Sequence, residues 1–150
     1  MAYIEFSNVI KAYGTGEAEI HALDGASFTV ERGELAIILG ASGAGKTTAL
    51  NILGGMDTAT SGSVTVDGRD ISHANEGELV SYRRADVGFV FQFYNLVPDL
   101  TIKENIEVTA HLSKNPLNVD DLLRSLGLYE HRNKFPRQVS GGQQQRVAIA

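Results

Sequence analysis

The segment GASGAGKT at residues 40–47 is the part of the sequence that most directly indicates chemistry. It fits the pattern G-x-x-x-x-G-K-[ST] at Gly40, Gly45, Lys46 and Thr47. The glycines let consecutive backbone N–H groups turn towards phosphate oxygens, and the positive end of the following helix adds to the attraction. Lys46 supplies a cation for the β- and γ-phosphates, and the Thr47 hydroxyl offers a coordination position to Mg²⁺. The segment therefore predicts a nucleoside triphosphate site, but it does not distinguish a kinase from a GTPase or a transport ATPase.

The predicted phosphate loop comprises residues 40–47, and Thr48 follows it near the α-phosphate. We expect the nucleotide to contact Gly40, Ser42, Gly43, Ala44, Gly45, Lys46, Thr47 and Thr48. The alternative is an ordinary glycine-rich turn with a solvated lysine, but such turns rarely carry Gly-Lys-Thr in the first helical turn.

A strand and a helix are expected on either side of this loop. The unbroken aliphatic run Leu35–Leu39 predicts a strand buried on both faces, as in a parallel sheet covered by helices. Lys46–Leu53 predicts the helix, and VGFVF at residues 87–91 is a weaker second candidate for a buried strand. The result is a mixed α/β architecture.

Three further segments alternate between polar and apolar residues and predict an antiparallel sheet. They are Tyr3–Val9, Ala26–Val30 and Val64–Val66.

Helices are predicted for three later segments, namely Thr101–His111, Asn118–Leu126 and the stretch from Ser140 onwards. The first and third have capping-box spacing, in which a hydroxyl and a carboxylate or amide three residues later bond reciprocally to backbone N–H groups. The second begins on an asparagine and is followed by Gly127 at the stop position. The third carries no stop signal before Ala150, so we expect the chain to be a fragment.

The composition bounds the class of protein. The 150 residues carry a net charge of −5 and no cysteine, which excludes a disulfide scaffold or a thiolate metal site and fits a reducing compartment. The mild acidity argues against binding to the phosphate backbone of DNA or RNA. Since the longest apolar run is Leu35–Leu39, no membrane span is expected, and the N-terminus has no secretion-signal pattern.

A second motif, VSGGQQQR at residues 139–146, gives the chain a family resemblance. Together with KAYG at residues 11–14, the phosphate loop and the stretch FVFQFYNLVPDLTIKENI, it resembles the ATP-binding domain of ABC transporters, whose signature is LSGGQ. Val139 replaces the usual leucine, and Ala41 replaces a proline of the family's phosphate loop without removing a donor. Within the family, the chain is most similar to the lipoprotein-release and macrolide-export ATPases.

The resemblance implies roles for residues outside the phosphate loop. Gln92, at the end of the VGFVF segment, would touch Mg²⁺ and the attacking water, and the alternative is a plain polar residue at a strand end. Tyr13 would stack on adenine, and the alternative for this tyrosine is a core position. Four signature residues would contact the ATP of a second subunit: Ser140, Gly141, Gly142 and Gln143. The alternative for the signature is a plain capped helix, which would leave the two glycines as a helix penalty of about 1 kcal/mol each.

Other side chains receive weaker expectations. A groove for a membrane subunit, or ordinary core packing, is expected of Phe93, Tyr94, Leu96, Val97 and Pro98. The four histidines are expected to be surface or satisfied polar residues: His21, His73, His111 and His131. The pairs Arg83-Arg84 and Asp120-Asp121 are expected on solvated helix faces.

The expected fold is thus an α/β P-loop ATPase of the ABC type, truncated before the strand that carries the family's catalytic Asp-Glu pair. By resemblance, an antiparallel β-subdomain spans about residues 1–34 and 62–86, the phosphate-loop core about 35–61 and 87–94, and a helical signature subdomain about 95–150. The general base and the switch histidine of the family lie beyond this chain, so we expect it to bind nucleotide without hydrolysing it.

The resemblance implies an ATP-binding and hydrolysing subunit of an exporter, with ATP and Mg²⁺ as cofactors. Its partners would be a transmembrane permease and a second ATPase subunit, with no nucleic acid, at the cytoplasmic face of the membrane. Two alternatives remain, a soluble ABC protein acting on ribosomes or DNA and a non-catalytic nucleotide-binding module. The transported substrate is not determined by this chain.

Overall fold

The computed structural model describes residues 2–14, 16–113 and 115–150. The chain consists of two compact units, residues 1–87 and residues 88–150. The division of the chain into three subdomains remains a prediction.

A four-stranded antiparallel sheet forms the base of the first unit. Its strands are β1 (Ile4–Tyr13), β2 (Ile20–Val30), β3 (Ser61–Val66) and β4 (Arg69–Asp70), in the order β2-β1-β3-β4. The register places Phe6 opposite Phe28 of β2 and Val64 of β3, and the two phenylalanine rings stack with centroids 4.4 Å apart. The predicted antiparallel sheet is confirmed.

Helix α1 (Lys46–Leu53) has the bounds expected from the sequence and packs onto this sheet. Ala49 and Ile52 of α1 are buried with Phe6, Val9 and Val64. Each large side chain buried in this way stabilises the fold by about 1.5 to 3 kcal/mol. The apolar face of α1 therefore fixes the helix that follows the phosphate loop.

Helix α2 (Glu76–Asp86) contains Arg83-Arg84, for which a helix face was expected, but its bounds were not predicted, although Asn75 and Glu78 form a capping box at its start. It docks through Tyr82, whose hydroxyl donates to the carbonyl of Leu53 at 2.7 Å, and burial raises the pKa of Tyr82 to about 12. Arg83 was expected to be solvated, but its side chain donates to the Gly55 carbonyl and pairs with Glu76.

Neither predicted buried strand is present. The segments Leu35–Leu39 and 87–91 carry no strand, and Leu35 and Leu39 are 88% and 85% exposed. A strand buried on both faces requires hydrogen-bonded neighbours and covering helices, and the described residues supply no strand partner to either segment. Leu35–Leu39 therefore has the apolar composition of a buried strand but does not form one in this structure.

In the second unit, three helices surround a separate core. They are α3 (Ile102–Ala110), α4 (Val119–Ser125) and α5 (Gly141–Ile149), which confirms the three predicted helices. The core consists of Ile102, Ile106, Leu123, Leu128 and Val147.

The acidic pair of α4 follows the expectation in part, because Asp121 is exposed whereas Asp120 is half-buried. Asp120 accepts from Lys103 of α3 at 2.9 Å and so links the two helices, while Asp121 pairs with Arg124 one turn later. Within the described residues, no helix is both long enough and apolar enough to cross a membrane.

Candidate functional site

The phosphate loop is closed by its own lysine. The Lys46 ammonium donates to the carbonyl of Gly40 at 2.8 Å and to that of Ala41 at 2.6 Å. The ammonium therefore lies within the loop, where a cation favours the entry of an anion, and the two carbonyls hold it in place. Residues 40–44 are exposed, which leaves the backbone of the loop accessible.

The geometry of the loop depends on Gly45. Its φ of 81° lies in the left-handed region, and a Cβ here would stand 2.2 Å from the carbonyl oxygen of Ala22 and 2.8 Å from Cδ2 of Leu23. Only glycine fits both constraints. Gly43 has the same φ of 81°, but nothing lies within 4 Å of the Cβ that it lacks.

The N-terminus of α1 has no side-chain cap, because its N-cap residue is Gly45. The other predicted helices α3, α4 and α5 all begin with a side chain that accepts a hydrogen bond from the third helical residue. The first N–H groups of α1 therefore have no side-chain acceptor at the N-cap, and the positive end of the helix dipole lies in the loop. These features, together with Lys46, fit a triphosphate and place the exposed Thr47 hydroxyl in the first helical turn.

Tyr13 is 43% exposed at the end of β1, which excludes the alternative of a core residue. Its hydroxyl donates to Oδ2 of Asp57 at 2.7 Å. This hydrogen bond, burial and the charge of Asp57 raise the pKa of Tyr13, although a hydrogen bond with the Thr48 side chain lowers it. The structure therefore ties the exposed Tyr13 to Asp57, which follows α1.

Gln92 belongs to the second unit and is exposed in a turn, rather than at the end of a strand as expected. The two residues that close this turn region, Tyr94 and Asn95, have φ angles of 62° and 49°. A tyrosine in the left-handed conformation is uncommon, and such strain is often found at functional segments.

The residues after Gln92 divide between surface and core. Phe93 is 81% exposed and Val97 is exposed, whereas Leu96 packs against the core of the second unit. The Asn105 side chain of α3 holds the loop of residues 97–101. It accepts from the Val97 N–H at 2.7 Å and donates to three carbonyls of that loop. Sequence reasoning did not identify Asn105, since none of these bonds follows from helical periodicity.

The signature residues begin helix α5. Ser140 Oγ accepts from the Gln143 N–H at 3.3 Å, and Gln143 Oε1 accepts from the Ser140 N–H at 2.8 Å, which confirms the predicted capping box. Gly141 and Gly142 are exposed, and nothing lies within 4 Å of the Cβ atoms that they lack. Packing in this unit therefore does not require glycine at these positions. Val139, which replaces the family's leucine, packs against the core.

The histidines follow the expectation with one exception. His21 pairs with Glu19 at 2.7 Å, and this hydrogen bond raises the pKa of His21. His131 differs, because its Nδ1 is buried and finds no hydrogen-bond partner among the described residues. The described part of the chain also contains no group of three or more Asp, Glu or His side chains that could hold a metal ion.

Residues 23–150 match the protein family described as ABC transporter. The bacitracin export ATP-binding protein BceA of Halalkalibacterium halodurans is 41% identical over 155 residues, covering 100% of this chain and 61% of that protein. The macrolide export ATP-binding/permease protein MacB of Hyphomonas neptunium is 43% identical over 152 residues, covering 98% of this chain and 24% of that protein. The chain therefore spans less than two thirds of the length of either relative.

A solved structure shows the same fold. The dimeric, post-hydrolysis structure of the ATP-binding cassette MJ0796 bound to ADP and Pi has a TM-score of 0.85 and 38% identity, covering 97% of this chain and 67% of that chain. The predicted fold class is confirmed by this similarity.

Proposed function

The chain belongs to the ABC transporter family, and we propose that it forms the nucleotide-binding part of an ATPase subunit that drives an exporter. The observation that carries the proposal is the phosphate loop, in which Lys46 lies between two loop carbonyls and α1 begins without a side-chain cap. Export is supported by the names of BceA and MacB, both of which are export proteins.

Each part of the loop has a role in this proposal. The Lys46 ammonium exchanges its two carbonyl partners for phosphate oxygens, and the N–H groups of residues 43–48 bind the remaining oxygens. The Thr47 hydroxyl contributes one ligand to Mg²⁺, which neutralises charge on the β- and γ-phosphates when it is bound. The exposed ring of Tyr13 stacks on the adenine.

Residues of the second unit act on the reaction and on a partner subunit. Gln92 would orient the attacking water and contact Mg²⁺, and the two residues with positive φ, Tyr94 and Asn95, come directly after its turn. Ser140, Gly141, Gly142 and Gln143 contact the ATP of a second subunit, where the open space around the two glycines permits close approach to a triphosphate. The dimeric state of MJ0796 supports this arrangement.

The whole protein would act at the cytoplasmic face of the membrane through a permease partner. By itself, the 150-residue chain is proposed to bind nucleotide without hydrolysing it. Among the described residues that the family motifs place, Gln92 alone would orient water, and an amide cannot accept a proton as a carboxylate does.

The decisive experiment is titration calorimetry of MgATP with the Lys46→Ala variant. We expect the affinity to fall at least tenfold, because a hydrogen bond from a charged group is worth about 1.5 to 3 kcal/mol. Lys134→Ala, which removes an exposed lysine from the second unit, is the control for the loss of one positive charge. Equal affinities for the wild type and Lys46→Ala would refute the proposed site.

Hydrolysis is tested separately by phosphate release from the monodisperse 150-residue chain. We expect no activity above that of Lys46→Ala. Robust turnover that depends on Lys46 would show that a catalytic base lies within residues 1–150.

A further inference from the structure

We propose that Asp57 and Lys11 are positioning residues for base recognition, because together they hold the Tyr13 ring so that one of its faces receives the nucleobase. This inference rests on the proposed function and extends it to two residues to which the sequence analysis assigned no role.

The Asp57 carboxylate joins the segment that follows α1 to strand β1. Its Oδ2 accepts from the Tyr13 hydroxyl at 2.7 Å, and its Oδ1 accepts from the Lys11 ammonium at 2.6 Å. Oδ1 also accepts from the Thr58 N–H at 2.7 Å, and Lys11 donates to the Thr58 carbonyl at 2.9 Å. Both carboxylate oxygens are thus used, and the Tyr13 hydroxyl is held at a defined position.

Lys11 covers one face of the tyrosine. Its ammonium lies 4.9 Å from the centroid of the Tyr13 ring, and its side chain is only 12% exposed. The ammonium is held there by Asp57, so it cannot withdraw from the ring without breaking an ion pair. Since Tyr13 is nevertheless 43% exposed, the opposite face is the one that solvent or a ligand reaches.

Helix α1 connects the phosphate loop, which precedes it, to Asp57, which follows it. Asp57 follows α1, and the chain turns back there because the N–H groups of Met56 and Asp57 both donate to the Asn51 carbonyl. The eight residues of α1 span about 12 Å at about 1.5 Å per residue. The position of the Tyr13 ring is therefore set relative to the phosphate loop by a rigid element.

The hydrogen bond between Tyr13 and Asp57 predicts an effect of Tyr13→Phe that stacking alone does not predict. A ring that acts by stacking alone would be replaced by phenylalanine without loss, because the aromatic face is unchanged. A ring held by its hydroxyl loses its fixed orientation in Tyr13→Phe and must be ordered when the base binds. The expected loss in ATP affinity is about three- to tenfold, the usual cost of immobilising one side chain.

A matched cluster provides the control. At the other end of β1, the Arg32 guanidinium lies 4.5 Å from the Tyr3 ring centroid and pairs with Asp67 at 2.5 Å. Tyr3 and Tyr13 are ten positions apart, or roughly 30 Å along an extended strand. Tyr3→Phe therefore removes a tyrosine hydroxyl, and Asp67→Asn removes a carboxylate paired with a cation, both away from the proposed base.

The test measures the affinities of this chain for MgATP and for magnesium triphosphate, which lacks the base, by calorimetry. We expect Tyr13→Phe and Asp57→Asn each to weaken ATP binding three- to tenfold and to leave triphosphate binding unchanged. The phenylalanine has no hydroxyl to hold, and the asparagine has one acceptor oxygen for the three donors that contact Asp57. Tyr3→Phe and Asp67→Asn should change neither ligand. In a double-mutant cycle, Asp57→Asn should cause no further loss of ATP affinity in a Tyr13→Ala background.

The outcomes separate this inference from the proposed function. ATP binding that depends on Lys46 but is unchanged in both Tyr13→Phe and Asp57→Asn would overturn the inference alone, as would equal losses for both ligands. If Asp57→Asn does not fold, Tyr13→Phe decides the question by itself. Wild-type binding that does not depend on Lys46 would overturn the proposed function and this inference with it.

Discussion

Substitution of Gly45 by alanine tests how much of the phosphate loop is fixed by packing rather than by local conformation. A Cβ at Gly45 would stand 2.2 Å from the Ala22 carbonyl oxygen, a backbone atom that cannot rotate away. A Cβ at Gly43 would meet nothing within 4 Å, although both glycines have a φ of 81°. The two alanine variants therefore share the conformational cost and differ in the steric one.

The magnitudes follow from these two terms. The left-handed conformation costs a non-glycine residue about 1 to 2 kcal/mol, which both variants should lose in free energy of unfolding. Forcing an extra carbon into a packed position costs about 1 to 3 kcal/mol more, which only Gly45→Ala should lose. Because Gly45 is also the N-cap of α1, we expect Gly45→Ala to abolish MgATP binding and Gly43→Ala to retain it in weakened form.

Amide hydrogen exchange of α1 is the appropriate assay, because a chain with two compact units need not unfold in one transition. The free energy of opening should be lower in Gly45→Ala than in Gly43→Ala by about 1 kcal/mol or more, the lower limit of the steric term. Equal exchange rates in the two variants would show that Ala22 yields to the added carbon and that the argument from packing is wrong.

Two further predictions concern the signature helix and the Asp57 cluster. In the longer protein, Ser140→Ala should impair ATP-driven dimerisation measured by light scattering. The control is Thr101→Ala, which removes the same kind of cap from α3, so it should cost a similar ~1 kcal/mol of stability and leave the dimer intact. A normal dimer in Ser140→Ala would refute the signature assignment. Burial would raise the pKa of Asp57, but hydrogen bonds from Lys11, Tyr13 and the Thr58 N–H hold it below its ordinary value of 3.8, so this stabilisation is complete above that value and is lost as the pH falls through the lowered pKa. The melting temperature of the wild type should accordingly fall more steeply below about pH 4 than that of Asp57→Asn, and parallel curves would contradict this assignment.

The helices were the most predictable elements, because their signals lie within one turn. The capping boxes at Thr101 and Ser140 and the glycine pattern before α1 involve residues at most a few positions apart. Helix α2 carries the same signal at Asn75 and Glu78, but it buries only Leu79 and Tyr82, so its apolar periodicity is too weak to reveal it.

The buried strands were predicted wrongly for a physical reason. The apolar composition of Leu35–Leu39 indicates a strand buried on both faces, but a strand forms only when a neighbouring strand completes its hydrogen bonds. No local pattern states whether that neighbour is available. The antiparallel sheet was predicted correctly because its strands pair with one another within residues 4–70 and alternate between polar and apolar residues.

The sequence by itself determined the phosphate loop, the signature cap and the family, since these depend on residue types at short spacings. Only the tertiary structure revealed that Asp57 holds Tyr13, a residue 44 positions earlier, together with Lys11. That contact requires β1 to lie beside the turn that follows α1, a placement set by the packing of Ala49 and Ile52 on the sheet. Hydrogen bonds between distant residues depend on such packing, and no spacing along the chain encodes them.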